Sequence, residues 1–387
     1  MSELRTNPAD HSTTPLGLML GGGGARAAYQ VGVLRALARA CPDLSISRLN
    51  GVSAGSINIA YLANQSARFQ DAVEGLARLW TSLDMSRVIE TGLPSLLARM
   101  FGAAVDLSIG TGPHVGGARS MVDNRPLREF LARALEVGAD GELMGVQRNL
   151  EAGRFDGVGI TTFCFTTGRT VTFFAGERIR PWARPRRDSE RTKLRLDHVL
   201  ASSALPLLFP AVPIGARWFG DGGIRLVAPL GPILHMGSER ILVISTHFTG
   251  DDSVCSVATR EPPSPALILA SLYNHIFNDE LDQDVRHFER VNELLPHVGD
   301  GYRKGLREVQ LLVIRPSEDL GRLAREHERQ LPHSLRFFLR RFGSGQSRSH
   351  DFLSTLMFDP GYLARLMEIG EADGESRLAE LTAFVGK

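Results

Sequence analysis

Gly51-Val52-Ser53-Ala54-Gly55 is a stretch whose residue types and spacing could do chemistry. It fits the pattern GxSxG, in which a serine sits on a turn so sharp that bulky neighbours clash. Such a turn lifts the hydroxyl out of the backbone at a helix N-terminus, where it can act as a nucleophile. The pattern is short, and a surface turn would also satisfy it. Upstream stands Gly21-Gly22-Gly23-Gly24. Four glycines let consecutive backbone N–H groups point into one concavity that holds an anion, and a following helix adds positive potential. The anion could be a phosphate or a developing oxyanion. A Walker loop is excluded because Gly-Lys-Ser/Thr is absent. A dinucleotide site fits poorly. Asp43 lies at a suitable spacing but follows Pro42 at a helix end, and Ala27 stands where the third glycine would be, counted from Gly22.

The two motifs explain each other. A serine attacking an ester makes a tetrahedral oxyanion, and one preplaced donor is worth about 3–4 kcal/mol of barrier. A glycine nest on a neighbouring strand supplies such donors. The serine also needs a base to take its proton. Eleven histidines are present, none in a distinctive setting. His235 and His247 follow Asp221 and so suit a Ser–Asp–His order. The competing candidate is Asp221 itself. It follows Trp218-Phe219-Gly220 and precedes Gly222 and Gly223, which permit close approach. A plain turn at a strand end would account for the same residues.

These residues need elements to position them. Leu16 to Leu20 is an apolar run between Pro15 and the glycines, and predicts a buried strand. The spacing of Ala27, Val31, Leu34 and Ala38 predicts a helix that Pro42 ends. Residues 46–50 predict a second strand, 51–55 a turn, and Ile57, Tyr61 and Leu62 a second helix. Strand–turn–helix twice argues for a parallel sheet. Residues 158–174 predict two strands joined at Thr167-Gly168-Arg169, and 241–245 and 309–314 predict further buried strands. A helix starts near Asn124-Arg125-Pro126, and residues 318–387 read as a helical tail.

The 387 residues, 43% hydrophobic and 22% charged, suffice for a large core, which excludes disorder of the whole chain. Lys plus Arg (44) balances Asp plus Glu (43), so no global charge draws the chain to nucleic acid, and no such partner is expected. Cys41, Cys164 and Cys255 are far apart and suggest neither a disulfide framework nor a cysteine zinc site. No side-chain cluster has metal-ligand spacing, so neither metal nor cofactor is expected. No run approaches about 18 apolar residues. Residues 1–15 lack the apolar stretch of a signal peptide and read as a disordered lead-in. A cytoplasmic chain is expected, with peripheral membrane contact open.

In order and together, Gly21-Gly22-Gly23-Gly24-Ala25-Arg26, Gly51 to Gly55 and Asp221-Gly222-Gly223 resemble the patatin-like phospholipases. Asp123-Asn124-Arg125-Pro126-Leu127-Arg128 resembles the family's D-x-x-PL segment. Ala201-Ser202-Ser203-Ala204-Leu205-Pro206 with Phe209-Pro210 resembles its ASSAxP…FP segment. The match runs from about residue 16 to 246, and the later chain is similar to longer bacterial members. The resemblance implies a three-layer α/β/α sandwich related to the α/β hydrolases. Residues 16–246 would be the catalytic domain and 247–387 a mostly helical extension. It implies a Ser–Asp dyad without histidine, with Ser53 as nucleophile and Asp221 as general base. The amides around Gly22, Gly23 and Gly24 would form the oxyanion hole, with Arg26 beside it. Gly51 and Gly55 flank the serine, and Gly222 and Gly223 follow the base. Ala27 departs from the family's usual glycine. The implied substrate is a phospholipid or related fatty acyl ester.

Residues 178–195 carry seven arginines and a lysine around Trp182, against Asp188 and Glu190. A basic loop with an aromatic suits anionic head groups, and a solvated loop is the plainer reading. Residues 333–343 are basic and amphipathic. They suit a membrane, the body of the protein or a second subunit, so a homodimer stays open. Residues 92–118, rich in glycine and apolar side chains, suit a lid or a packed insertion. Two other functions remain in view. One is a Ser–His–Asp esterase using His235 or His247. The other is a lipid-binding or regulatory protein with an idle site, which would bind acyl lipid without turnover.

Overall fold

A computed structural model describes residues 14–88, 123–206, 208–226, 228–250, 280–303, 306–330 and 349–386. The expected lid at 92–118, the amphipathic segment at 333–343 and most of the N-terminal lead-in lie outside the described residues. Among the described residues ten strands make one sheet: β1 (Leu16–Leu20), β2 (Arg48–Val52), β3 (Gly157–Cys164), β4 (Arg169–Ala175), β5 (Ala183–Arg184), β6 (Arg187–Arg191), β7 (Val212–Ile214), β8 (Arg217–Asp221), β9 (Arg240–Ile244) and β10 (Gln310–Ile314). The order is β10-β9-β1-β2-β3-β4-β6-β5, and β8 pairs with β3 and β7.

From β10 to β3 the neighbours are parallel. The parallel sheet expected from the sequence therefore holds where the glycine loop and the serine sit. Beyond β3 the sheet is mixed, because β4 and β8 both run antiparallel to β3. The four-residue link of Phe165, Thr166, Thr167 and Gly168 is far too short for the crossover a parallel pair needs.

β1 and β9 are buried along their whole lengths. Successive strand residues point to opposite faces. Leu18, Leu20, Leu242 and Ile244 enter the larger core, while Met19, Ile241 and Val243 enter a smaller core on the other side. Both faces are covered, so these strands read as continuous apolar runs. Helical side chains such as Ile233, Val285 and Phe288 complete the smaller core. The result is a three-layer α/β/α arrangement around a mixed sheet, with a helical C-terminal region.

Five helices bear on the site: α1 (Ala27–Ala40), α2 (Ala54–Asn64), α3 (Leu196–Ser202), α4 (Ser349–Leu356) and α5 (Pro360–Ser376). α1 follows the predicted apolar stripe and is buried over most of its surface. α5 covers it closely. A Cβ on Gly32 would collide with the Met367 carbonyl oxygen, and one on Gly370 with the Tyr29 carbonyl oxygen. The Tyr29 hydroxyl donates to Asp373 at 2.9 Å, and Arg35 pairs with Glu371 at 2.9 Å. Among the described residues no helix is long and apolar enough to cross a membrane.

Candidate active site

β2 ends at Val52 and α2 begins at Ala54, so Ser53 alone makes the turn. Its backbone sits at φ 54°, ψ −132°, a region that residues with a Cβ rarely enter and that stores strain. The surroundings enforce it. A Cβ on Gly51 would lie 2.6 Å from Ser56 Cα, and one on Gly55 would collide with the carbonyl oxygens of Leu20 and Gly21. The Ser53 carbonyl accepts from the Ser56 N–H at 2.9 Å and from the Ser56 hydroxyl at 2.6 Å. The Ser53 N–H donates to Ser202 Oγ at 2.9 Å, and the Ser202 hydroxyl donates to the Thr161 carbonyl at 2.7 Å. Ser202, the last residue of α3, is fully buried.

The Gly55 contact presses this turn onto the glycine loop. Gly23 and Gly24 have φ of 142° and 56°, which glycine adopts freely. A Cβ on Gly24 would collide with the Thr355 carbonyl oxygen of α4. The loop's carbonyls are all engaged by the protein. Gln30 Nε2 donates to the Gly21 carbonyl at 3.0 Å, Thr246 Oγ1 to that of Gly22 at 2.7 Å, and the Arg26 N–H to that of Gly23 at 3.1 Å. Gln30 accepts from Asn58 at 3.0 Å, and Asn58 accepts from the Trp80 indole at 2.7 Å. A buried polar chain satisfied in this way is rigid. Arg26, expected beside the loop, is buried and donates from Nε to Ser354 on α4 at 2.5 Å. It ties the loop to the C-terminal region.

Register explains how Asp221 arrives. β2 pairs with β3 as far as Val52 opposite Thr161. β8 takes over at the next residue, with Asp221 opposite Thr162. The two strands meet end to end along β3, which sets Asp221 against Ser53. Gly222 permits the approach, since a Cβ there would collide with the Thr161 carbonyl oxygen. The Asp221 N–H donates to the Ala204 carbonyl at 2.9 Å, and Oδ1 accepts from the Gly223 N–H at 2.8 Å. Oδ2 is buried without a partner. The Ser53 hydroxyl is near enough to act on the carboxyl's acidity, but its geometry falls short of a closed hydrogen bond. Burial dominates, because it disfavours the charged form, and pushes the carboxyl up to about 7; Ser53 and the Gly223 N–H pull it down by less.

No histidine among the described residues hydrogen-bonds Asp221. His235 stacks on Trp182 with ring centroids 5.3 Å apart. Burial, aided by Arg184, Arg187 and Arg307, holds its ring down to about 4. His247 lines a cavity shared by Gly22, Gly223 and the apolar side chains of Met19, Val52 and Val243. Among the described residues no group of three or more His, Cys, Asp or Glu could hold a metal.

Three residues that fix this geometry carry little or no functional signal in the sequence. Gln30 carried a signal, as an amide inside the apolar stripe of α1, and a buried polar group must find partners. Ser202 was visible only as part of the ASSAxP stretch, with no role attached. Thr246 carried none, since it only follows an apolar strand.

A search of curated proteins returns no match. Among solved structures, the chain is similar to VipD from Legionella pneumophila at 14% identity and a TM-score of 0.41, covering 95% of this chain and 67% of that one. It is also similar to human GIVD cytosolic phospholipase A2 in complex with a fluorophosphonate inhibitor, at 13% identity and a TM-score of 0.45. That match covers 99% of this chain but 60% of the human one. The sequence model described as Patatin-like phospholipase matches residues 18–234, more than half of the chain. The chain belongs to the patatin-like phospholipase family.

Proposed function

We propose that this protein is a serine acyl hydrolase that cleaves phospholipid or related fatty acyl esters through Ser53 and Asp221. The observation that carries the reading is the end-to-end meeting of β2 and β8. It sets a serine on strained backbone against a buried carboxyl with one unpartnered oxygen. The phospholipid class rests on the family's description.

In this reading ionised Asp221 takes the Ser53 proton while Oγ attacks the ester carbonyl. A base poised near neutrality balances proton affinity against availability. The oxyanion forms at the glycine loop, and the N–H groups of Gly22, Gly23 and Gly24 are its donors. Losing one such donor costs about 3–4 kcal/mol of barrier. Collapse of the intermediate breaks the ester C–O bond, and Asp221 returns the proton to the departing alcohol. Water then attacks the acyl-serine, Asp221 takes its proton, and Ser53 regains a proton as the fatty acid leaves. The apolar wall of Met19, Val52 and Val243 suits an acyl chain. Residues 16–246 supply the reacting groups, and the C-terminal region braces the glycine loop through Ser354 and Thr355.

The histidine alternative draws no support from the geometry. A triad needs an imidazole held by the carboxylate, and among the described residues the Asp221 carboxylate accepts a hydrogen bond from the Gly223 N–H and from no histidine. An idle binding protein has no use for backbone strain at one serine. The test is hydrolysis of mixed phospholipid vesicles by wild type and Ser53→Ala, with products identified by mass spectrometry. Fatty acid and lysolipid from wild type alone is the expected result. Equal release by both proteins would remove Ser53 as nucleophile.

A further inference from the structure

The sheet edge formed by β6 and β5 carries a cationic pocket. β5 and β6 pair Arg184 with Arg187. With Thr170, Trp182, Arg225 and His235 these arginines line one hollow. Four of the eight cations of the 178–195 loop are already engaged. Arg195 pairs with Asp140, Lys193 with Glu142 and Arg178 with Asp156, while Arg191 donates to the carbonyls of Glu177 and Ile179. Arg184, Arg187 and Arg225 differ. None of the three meets a carboxylate among the described residues, and Asp188, the acid of the pocket, is taken by Arg169 at 2.8 Å. Guanidinium groups gathered without countercharge attract an anion. Arg184 and Arg187 already add to burial in holding the neighbouring His235 ring neutral.

One side chain joins the pocket to the cavity at the glycine loop. Leu226 lines both this hollow and the cavity that holds Gly22, Gly223 and Val52. Arg225 ends the short turn begun by Gly222, and its carbonyl accepts from the Thr170 hydroxyl at 2.9 Å. We infer that Arg184, Arg187 and Arg225 form a binding site for the phosphate of an anionic lipid headgroup. The planar guanidinium fork matches phosphate oxygens in pairs. Trp182 supplies an amphipathic ring of the kind that settles at a membrane interface. The inference rests on the proposed function, since it takes the lipid whose phosphate binds here as the one presented to Ser53.

The test measures binding with the nucleophile removed. Full-length Ser53→Ala protein is cosedimented with phosphatidylcholine vesicles that contain or lack phosphatidylglycerol. The pair Arg184→Gln/Arg187→Gln is compared with Arg178→Gln/Arg180→Gln, which removes equal charge from the same loop outside the pocket. Losing two guanidinium contacts to the phosphate predicts about a thirty-fold loss of affinity for the first pair. The second pair is expected to change little. Arg184→Lys/Arg187→Lys keeps the charge without the fork and is expected to lose several-fold. Equal losses in the two Gln pairs would reduce the pocket to net charge and overturn the inference. Calorimetric binding of inorganic phosphate without any preference for phosphatidylglycerol would assign the site to free phosphate and overturn the lipid part. Absence of turnover in protein with Ser53 intact would sink the hydrolase reading while leaving this binding result readable.

Discussion

Replacing Asp221 by asparagine should remove activity yet stabilise the fold at neutral and alkaline pH. The carboxyl is fully buried, and burial raises its pKa from 3.8 to about 7. Below about pH 4 folded and unfolded chains both hold the proton, and the group is neutral for stability. Between about 4 and 7 the unfolded chain has released it and the folded chain has not, so folding is increasingly disfavoured as pH rises. Above about 7 both are ionised and the full penalty stands. At about 1.4 kcal/mol per pH unit this penalty reaches about 4 kcal/mol. Asparagine keeps the shape, and its amide oxygen can still accept from the Gly223 N–H, but it has no charge to bury. Urea unfolding of both proteins at steps between about pH 4 and 8.5 measures the difference. It should move by about 4 kcal/mol in favour of the variant across that range, on top of a constant offset. In wild type, kcat/KM should rise through about pH 7 and then level, as the base ionises. A stability difference independent of pH would refute the reasoning, because it would mean that Asp221 ionises in the folded protein as easily as in water.

Three further outcomes follow from contacts at the site. Gly24→Ala places a Cβ against the Thr355 carbonyl at a φ of 56°, and should cost about 2–3 kcal/mol in thermal unfolding and lower turnover. Ser202→Ala leaves the Ser53 N–H and the Thr161 carbonyl without their bridging hydroxyl. It should cost about 1–3 kcal/mol and lower kcat more than it changes KM, with Ser202→Thr recovering much of the loss. Gly370→Val forces α5 off the Tyr29 carbonyl, and should cost about 3 kcal/mol or more in denaturant unfolding. A neutral result there would mean that the C-terminal helix is not part of the main core.

What was legible in the sequence is what local residues enforce. Leu16 to Leu20 followed by four glycines announces a buried strand and a tight loop, and Gly51 of the serine motif answers to backbone contacts with Gly55 and Ser56. The β3–β4 hairpin is marked by its short turn. The meeting of Ser53 with Asp221 was not legible from the residues themselves, because it depends on where β2 stops along β3 and where β8 begins. The residues offered Asp221 alongside His235 and His247 as a base, and the resemblance chose it. The Gly32–Gly370 contact between α1 and α5 is hidden for the same reason. Each glycine looks like an ordinary helix weakness until the partner backbone is seen. The direction of the Arg26 side chain depends on Ser354, which no local pattern connects to it.

The most direct test of the account is covalent labelling of the nucleophile. Wild type, Asp221→Asn and Ser53→Ala are treated with a long-chain alkyl fluorophosphonate, and the modified peptide is located by mass spectrometry. One adduct is expected, on Ser53, formed rapidly by wild type, far more slowly by Asp221→Asn, and absent from Ser53→Ala. An adduct on another residue, or equal labelling rates with and without the Asp221 carboxyl, would contradict it.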